Sequence, residues 1–211
     1  MHNIGEHFGF IRLGRQLARI ARRCVKWRYF NRTVAMRASS SAREGLMDLI
    51  DWWGDTRDLT MVEIGSYSGE SAELFLASGK ISKIYCVDPW QMGYDPNDVA
   101  AFTDMARIER VFDFRFVGEK RMVKVKGTID DLIARLETAP EKIDVVYVDG
   151  CHTYDAVKYD LTVTMSKIKP CLFICGHDYT DVWAGSKRAV EEVVGIPDAV
   201  FKDTSWVRRL S

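Results

Sequence analysis

No stretch of these 211 residues comes near the ~20 successive apolar positions that a membrane-spanning helix needs. The N-terminal stretch also lacks the apolar core of a secretory signal, because arginines interrupt it throughout. Cysteine is scarce and unpaired, with five residues at positions 24, 86, 151, 171 and 175 and no C-x-x-C spacing. That argues against a structural zinc site and predicts reduced thiols in a cytoplasmic compartment. Cys171 and Cys175 fall in an apolar run and read as small buried hydrophobes. Low-complexity tracts and internal repeats are missing, so one folded domain is expected. The dinucleotide fingerprint G-x-G-x-x-G is missing too. In "GSYSG", Tyr67 stands where the middle glycine would be, which disfavours a nicotinamide-linked dehydrogenase.

An excess of either charge is also lacking, with 30 basic and 30 acidic residues, but the balance hides an asymmetry. Residues 1–43 hold ten Arg or Lys against the single acid Glu6. Phe10, Leu13, Leu17, Ile20, Cys24 and Trp27 recur at spacings of three and four, which predicts an amphipathic basic helix. Such a stripe suits packing on the body or on a second copy, and a basic helix of this kind can also make peripheral membrane contact. No nucleic-acid module accompanies the charge, and no nucleic-acid partner is expected. "SSSAREGLMDLIDWWGD" then offers a serine cap and a second amphipathic helix.

From residue 59 short apolar strands alternate with helical segments. The strands read "LTMVEIG", "KIYCVD", "MVKVKG", "KIDVVYVD" and "KPCLFICGHD", and "AVFKDTSWVRRLS" reads as two more short ones. The helices between them read "GESAELFLASG", "DVAAFTDMARIERVF", "TIDDLIARLETA", "TYDAVKYDLTVTMSKI" and "GSKRAVEEVV". Continuously apolar strands separated by helices imply a mostly parallel, seven-stranded sheet covered on both faces, a doubly wound α/β fold. Ligands of such folds bind at the carboxyl ends of the strands.

Polar residues gather at those ends. Glu63 precedes the glycine loop of Gly65, Ser66, Tyr67 and Gly69, whose glycines would let backbone approach a ligand. Asp88 follows about twenty residues on, placed to accept both hydroxyls of a ribose. Gly127 and Thr128 could flank an adenine edge, and Thr128 equally caps the next helix. Asp149 closes an apolar strand and must be satisfied by the protein or by a ligand, since an unpaired buried carboxylate is costly. His152 and Asp178 have capping readings of their own. Tyr154 and Tyr179 read as packing or pocket walls, Trp90 as pocket wall or packing, Trp52, Trp53 and Trp183 as core or interface, and Lys187 and Arg188 as a solvated face.

The set "VEIGSYSGES…VDPW…VDGCHTYDAVKYDL…GHDY…GSKRAVEE" resembles the class I S-adenosylmethionine-dependent methyltransferases. Within them it is similar to the metal-dependent sugar O-methyltransferases of macrolide and aminocoumarin biosynthesis, over roughly residues 59–195. The resemblance implies that Glu63, Gly65, Ser66, Tyr67, Gly69 and Asp88 bind S-adenosylmethionine, with Gly127, Thr128 and Asp149 beside it. It implies His152 as general base and Asp149, His177 and Asp178 as ligands of a divalent cation, manganese or magnesium. The family's usual pair after this strand is two carboxylates, so His177 is a departure that favours manganese, iron or zinc over magnesium. The implied reaction is methyl transfer to a hydroxyl of a sugar or glycan. A catechol-type acceptor and a non-catalytic membrane- or polyanion-binding module with a relic cofactor site remain as alternatives. The expected organisation is a basic helical extension or lid over 1–57 and a cofactor-binding domain over 58–211. A homo-oligomer, or one module of a larger glycan-assembling protein, is compatible with it. Acceptor contacts are expected from the loops near 89–98 and 179–186.

Overall fold

The computed structural model describes residues 39–211, and the basic helix expected over residues 10–27 lies outside them. Ser39 caps the first described helix, α1 (Ser40–Trp52), its Oγ accepting the Ala42 N–H at 3.2 Å. The chain then alternates through β1 (Leu59–Ile64), α2 (Glu70–Ala77), β2 (Ile81–Asp88), α3 (Met105–Arg115), β3 (Met122–Lys126), α4 (Ile129–Thr138), β4 (Val145–Val148), α5 (Tyr154–Val163), β5 (Phe173–Gly176), α6 (Ala184–Val193), β6 (Ala199–Val200) and β7 (Trp206–Arg209). The seven strands form one sheet in the order β3-β2-β1-β4-β5-β7-β6. Strands β1 to β5 run parallel, whereas β7 is antiparallel to both β5 and β6.

Both sheet faces are buried, which is why the strands read as unbroken apolar runs. On one face Met61, Ile84, Cys86, Val145, Tyr147 and Phe173 meet Leu46, Leu49 and Trp53 of the α1 region, Phe75 of α2 and Phe112 of α3. On the other, Val62, Ile64, Val87, Val146, Val148 and Ile174 meet Ile129, Leu132, Val157, Leu161, Ala189 and Val190 of α4, α5 and α6. Alternate residues of each strand therefore serve opposite layers, as the pleat requires. The C-terminal end of the extension expected over 1–57 is thus built into the same core as the sheet, through α1.

Two helical expectations need correction. The segment "DVAAFTDMARIERVF" is broken in two: a 3-10 turn over Val99–Phe102, then α3, which Asp104 caps by accepting the Arg107 N–H at 3.0 Å. The run expected after β4 stays α-helical only to Val163, continues as a π turn over Thr164–Ile168, and closes at Lys169 with φ 53°.

The glycine loop follows β1, and its glycines are required by the protein itself. Gly65 has φ +88°, and a Cβ there would lie 1.9 Å from the Asp149 carbonyl oxygen. The loops after β1 and β4 touch at this point, with the Asp149 N–H donating to the Ile64 carbonyl at 2.8 Å. Gly69 has φ +79°, and a Cβ there would meet the Phe116 ring at 2.4 Å. Close approach at both glycines is therefore backbone to protein. Gly65→Ala combines a strained φ with a backbone clash that no rotamer relieves. It should cost about 3 kcal/mol or more, read as a large drop in melting temperature; an unchanged melting curve would refute the contact.

Candidate active site

The carboxyl ends of the parallel strands surround a cavity of about 380 Å³, within the range of small-molecule sites. Its walls come from the loops after β1, β2, β3, β4 and β5, with Ser41 and Ala42 of α1 and Asp203 of the β6–β7 turn closing one side. The expected residues Gly65, Ser66, Tyr67, Asp88, Gly127, Thr128, Asp149, His152, His177 and Asp178 all line it. Glu63 and Gly69 do not. Glu63 is fully buried beneath the loop, where the Ser71 hydroxyl donates to it at 2.5 Å. That bond ties the end of β1 to the start of α2 under the glycine loop, and Gly69 makes room for Phe116.

Asp88 takes one backbone donor on each oxygen, Tyr67 N–H on Oδ2 and Trp90 N–H on Oδ1, both at 2.7 Å. Each oxygen keeps a lone pair for the cavity. Burial raises this carboxyl to about 6 in spite of the two N–H groups, so it remains mostly ionised at neutral pH. Tyr67 and Trp90 pay for these bonds with positive φ angles of 43° and 44°. Trp90 itself is wall packing: it is buried against Phe112 at 4.9 Å, and its indole N–H donates to the Tyr67 carbonyl at 2.8 Å. Thr128 is the N-cap of α4, with its N–H bonded to Asp131 Oδ2 at 2.8 Å.

At the other side of the cavity His152 is held at both ring nitrogens. Nδ1 lies 2.6 Å from Asp95 Oδ2, which also accepts the His152 backbone N–H at 2.7 Å. Nε2 lies 2.7 Å from Asp178 Oδ2. Burial alone would push the imidazole down, but Asp178, Asp149 and Asp95 outweigh it and raise the ring to about 9. Two simultaneous N–H donations require that doubly protonated state. The Trp183 ring stacks on the imidazole at 4.5 Å and 22°, a favourable contact for a cation. Burial would raise Asp178, but His152 and His177 hold it well below the usual carboxylate range. Its backbone sits at φ 60°, which aspartate tolerates better than most residues.

Among the described residues the donor atoms that converge are those of Asp149, His152 and Asp178, all within 4.8 Å of one another. His177, expected as a ligand, lies outside this group. Its Nδ1 is 3.1 Å from Asp178 Oδ1 and 3.7 Å from Asp149 Oδ1, and its Nε2 is 3.9 Å from Asp203 Oδ2. Asp203, with a side chain 1% exposed, accepts the N–H and hydroxyl of Ser205. Gly45 of α1 leaves it space, since a Cβ there would fall 2.2 Å from Asp203 Oδ1. Asp95, Asp203 and the stacking role of Trp183 were not assigned from sequence, although the loops near 89–98 and 179–186 were expected to contribute. "YDPND" reads locally as a turn, and nothing in it points to a histidine 57 residues away.

The strand order, the glycine loop against β4 and the acid after β2 define a class I methyltransferase fold. The family described as "Methyltransferase domain" matches residues 62–179, more than half of the chain, and the chain belongs to it. Cofactor-bound Rv0187 from MTB shares the fold with a TM-score of 0.55, at 15% identity, over 90% of this chain and 89% of its own. Apo CalS11, a TDP-rhamnose 3′-O-methyltransferase of calicheamicin biosynthesis, does so at 0.53 and 17% identity, over 80% and 79%. At these identities the likeness is one of fold. An uncharacterized protein of Acanthamoeba polyphaga mimivirus is 29% identical over 125 residues, 59% of this chain. The match spans about half the length of that curated relative, 53%. No helix among the described residues is long and apolar enough to cross a membrane.

A histidine raised above its unfolded value of ~6.5 adds stability that is complete below that pH and is lost as pH rises through the folded value. In chelator-treated protein the His152 ring resonance should titrate near 9 by NMR, and Asp95→Asn should bring the midpoint down. A wild-type midpoint at or below ~6.5 would contradict the two-carboxylate clamp.

Proposed function

We propose that the chain methylates a hydroxyl oxygen of a sugar or glycoconjugate, with His152 as general base and Asp149 and Asp178 as carboxylate ligands of a divalent cation. The observation that carries this reading is the imidazole fixed between Asp95 and Asp178 on the cavity wall. Methyl transfer from a sulfonium needs no activation of the leaving group, so the chain's task is alignment and deprotonation of a weakly acidic hydroxyl. Asp88 and the loop of Gly65, Ser66 and Tyr67 would hold the donor, and the loops carrying Tyr94, Asp95 and Trp183 would face the acceptor.

The carboxylates of Asp149 and Asp178 each bring an oxygen within 4.8 Å of the other, an all-oxygen pair that fits a divalent ion such as magnesium or manganese. Such an ion, when bound, would neutralise Asp149 and Asp178 and acidify a hydroxyl beside it. With Asp178 so engaged, His152 loses the partner that most favours its protonated form. Its Nε2 would then accept the hydroxyl proton, while Asp95 keeps Nδ1–H oriented and stabilises the imidazolium, as the carboxylate of a catalytic triad does.

Turnover can be followed with isotope-labelled S-adenosylmethionine against a panel of nucleotide sugars, glycosides and catechols, with and without manganese. His152→Ala should cut turnover on the accepted sugar by at least ~100-fold and leave cofactor affinity nearly unchanged. Full turnover in that variant would remove His152 as base, and labelling of catechols alone would replace the sugar with an aromatic acceptor.

A further inference from the structure

Half of the large hydrophobic side chains that stand exposed among the described residues belong to two loops at the mouth of the cavity. Met92, Tyr94, Val99 and Phe102 lie in the loop after β2, and Val182 lies in the loop after β5. They are five of ten, with Val99 87% and Val182 83% exposed. One exposed apolar side chain needs no explanation, but a cluster marks a surface that meets something apolar.

The two loops converge on one point. Asp95 of the first bonds the His152 ring, and Trp183 of the second stacks on it. Within the first loop the Gly93 N–H donates to the Ala101 carbonyl at 2.7 Å, and a Cβ on Gly93 would stand 3.6 Å from the Phe102 ring. That folds the loop back on itself and draws its Met92 and Phe102 ends together. Tyr94 and Trp183 line the cavity, whereas Met92, Val99, Phe102 and Val182 lie outside it. Capped turns hold the most exposed pair in place. Asp98 accepts the Ala100 N–H at 2.8 Å in the turn that Val99 begins, and Thr180 Oγ1 accepts the Val182 N–H at 3.4 Å.

Charge indicates the partner. Neither loop carries a Lys or Arg over residues 89–104 or 177–184. The acids beside the rim are engaged within the protein, Asp98 and Asp104 as caps and Asp181 by Lys187 at 2.7 Å. The cations lie elsewhere in the chain. Residues 1–43 hold ten Arg or Lys against one acid, and Ser41 and Ala42, near the end of that segment, line the same cavity. An apolar rim joined to a cationic segment suits an anionic lipid surface, which takes apolar side chains at its acyl boundary and cations at its headgroups. We propose that the rim of Met92, Val99, Phe102 and Val182 docks on an anionic lipid surface, with the cations of residues 1–43 as the electrostatic part of the attachment.

The test is co-sedimentation of the full chain with vesicles of phosphatidylcholine alone and of phosphatidylcholine mixed with phosphatidylglycerol. The triple variant Val99→Ser, Phe102→Ser, Val182→Ser is run beside the wild type. Wild-type protein should bind the anionic vesicles at least ~10-fold more strongly than the neutral ones, and high salt should erase that preference. The variant should bind the anionic vesicles at least ~10-fold more weakly than wild type. Its melting temperature should be unchanged, since the three side chains already stand in water. A variant that binds as wild type does leaves the attachment to the basic segment alone and overturns the rim. Wild-type protein that binds neither vesicle, or both equally, overturns the proposal as well. So does a variant that melts far below wild type, because the rim is then part of the packed fold. A wild-type dimer in sedimentation velocity that the variant dissociates gives the rim to a second copy of the chain, and overturns the lipid assignment.

Discussion

One imidazole ties the strand ends together. His152, in the loop after β4, reaches Asp95 from the loop after β2 and Asp178 at the end of β5. Three loops that a parallel sheet merely brings near one another become a fixed wall by this double ion pair. Its strength comes from the surroundings: all three groups are largely removed from water, so each charge matters more to its neighbours than it would on the surface. The same burial makes the arrangement demanding. Removing either carboxylate would leave a charged ring short of a partner, which is why the two acids and the histidine have to be considered as one unit.

The contact between the loops after β1 and β4 sets the other half of the cavity. With Gly65 pressed on the Asp149 carbonyl, the glycine loop and Asp149 cannot move independently. Asp88 and Gly127 line one end, where the proposed reading puts the nucleoside, and Asp149, His152 and Asp178 line the other, where it puts the proton transfer. Strained backbone at Tyr67, Trp90 and Asp178 marks the places where the chain bends to aim these side chains, at a cost of about 1 kcal/mol or more each.

Much of this was readable without coordinates. The parallel sheet follows from apolar runs such as "VVYV" bounded by helices, because only strands buried on both faces need be apolar at every position. The strand-end acids Asp88, Asp149 and Asp178 stood out as polar residues closing those runs, and the cap at Thr128 follows from its place before an amphipathic segment. The remainder depends on distances that local pattern does not carry. Asp95 lies in a turn-like string, and Trp183 reads as another core or interface aromatic. The roles of the two histidines also needed coordinates. His177 directly precedes an aspartate, whereas His152 lies three residues from its nearest acids, and only the fold shows that His152 is the one among the converging donors. Glu63 and Gly69 belong to a recognisable motif, yet they pack beneath the loop, on Ser71 and Phe116, and do not line the cavity.

The most direct test of the account is the crystal structure of the complex with S-adenosylhomocysteine. It should show both ribose hydroxyls on the Asp88 carboxylate, the base against Gly127 and Thr128, and the sulfur turned toward Asp149 and His152, with the Asp95–His152 pair intact. A ligand bound away from Asp88, or with its sulfur directed away from His152, would contradict the placement of donor and base on which the proposed chemistry depends.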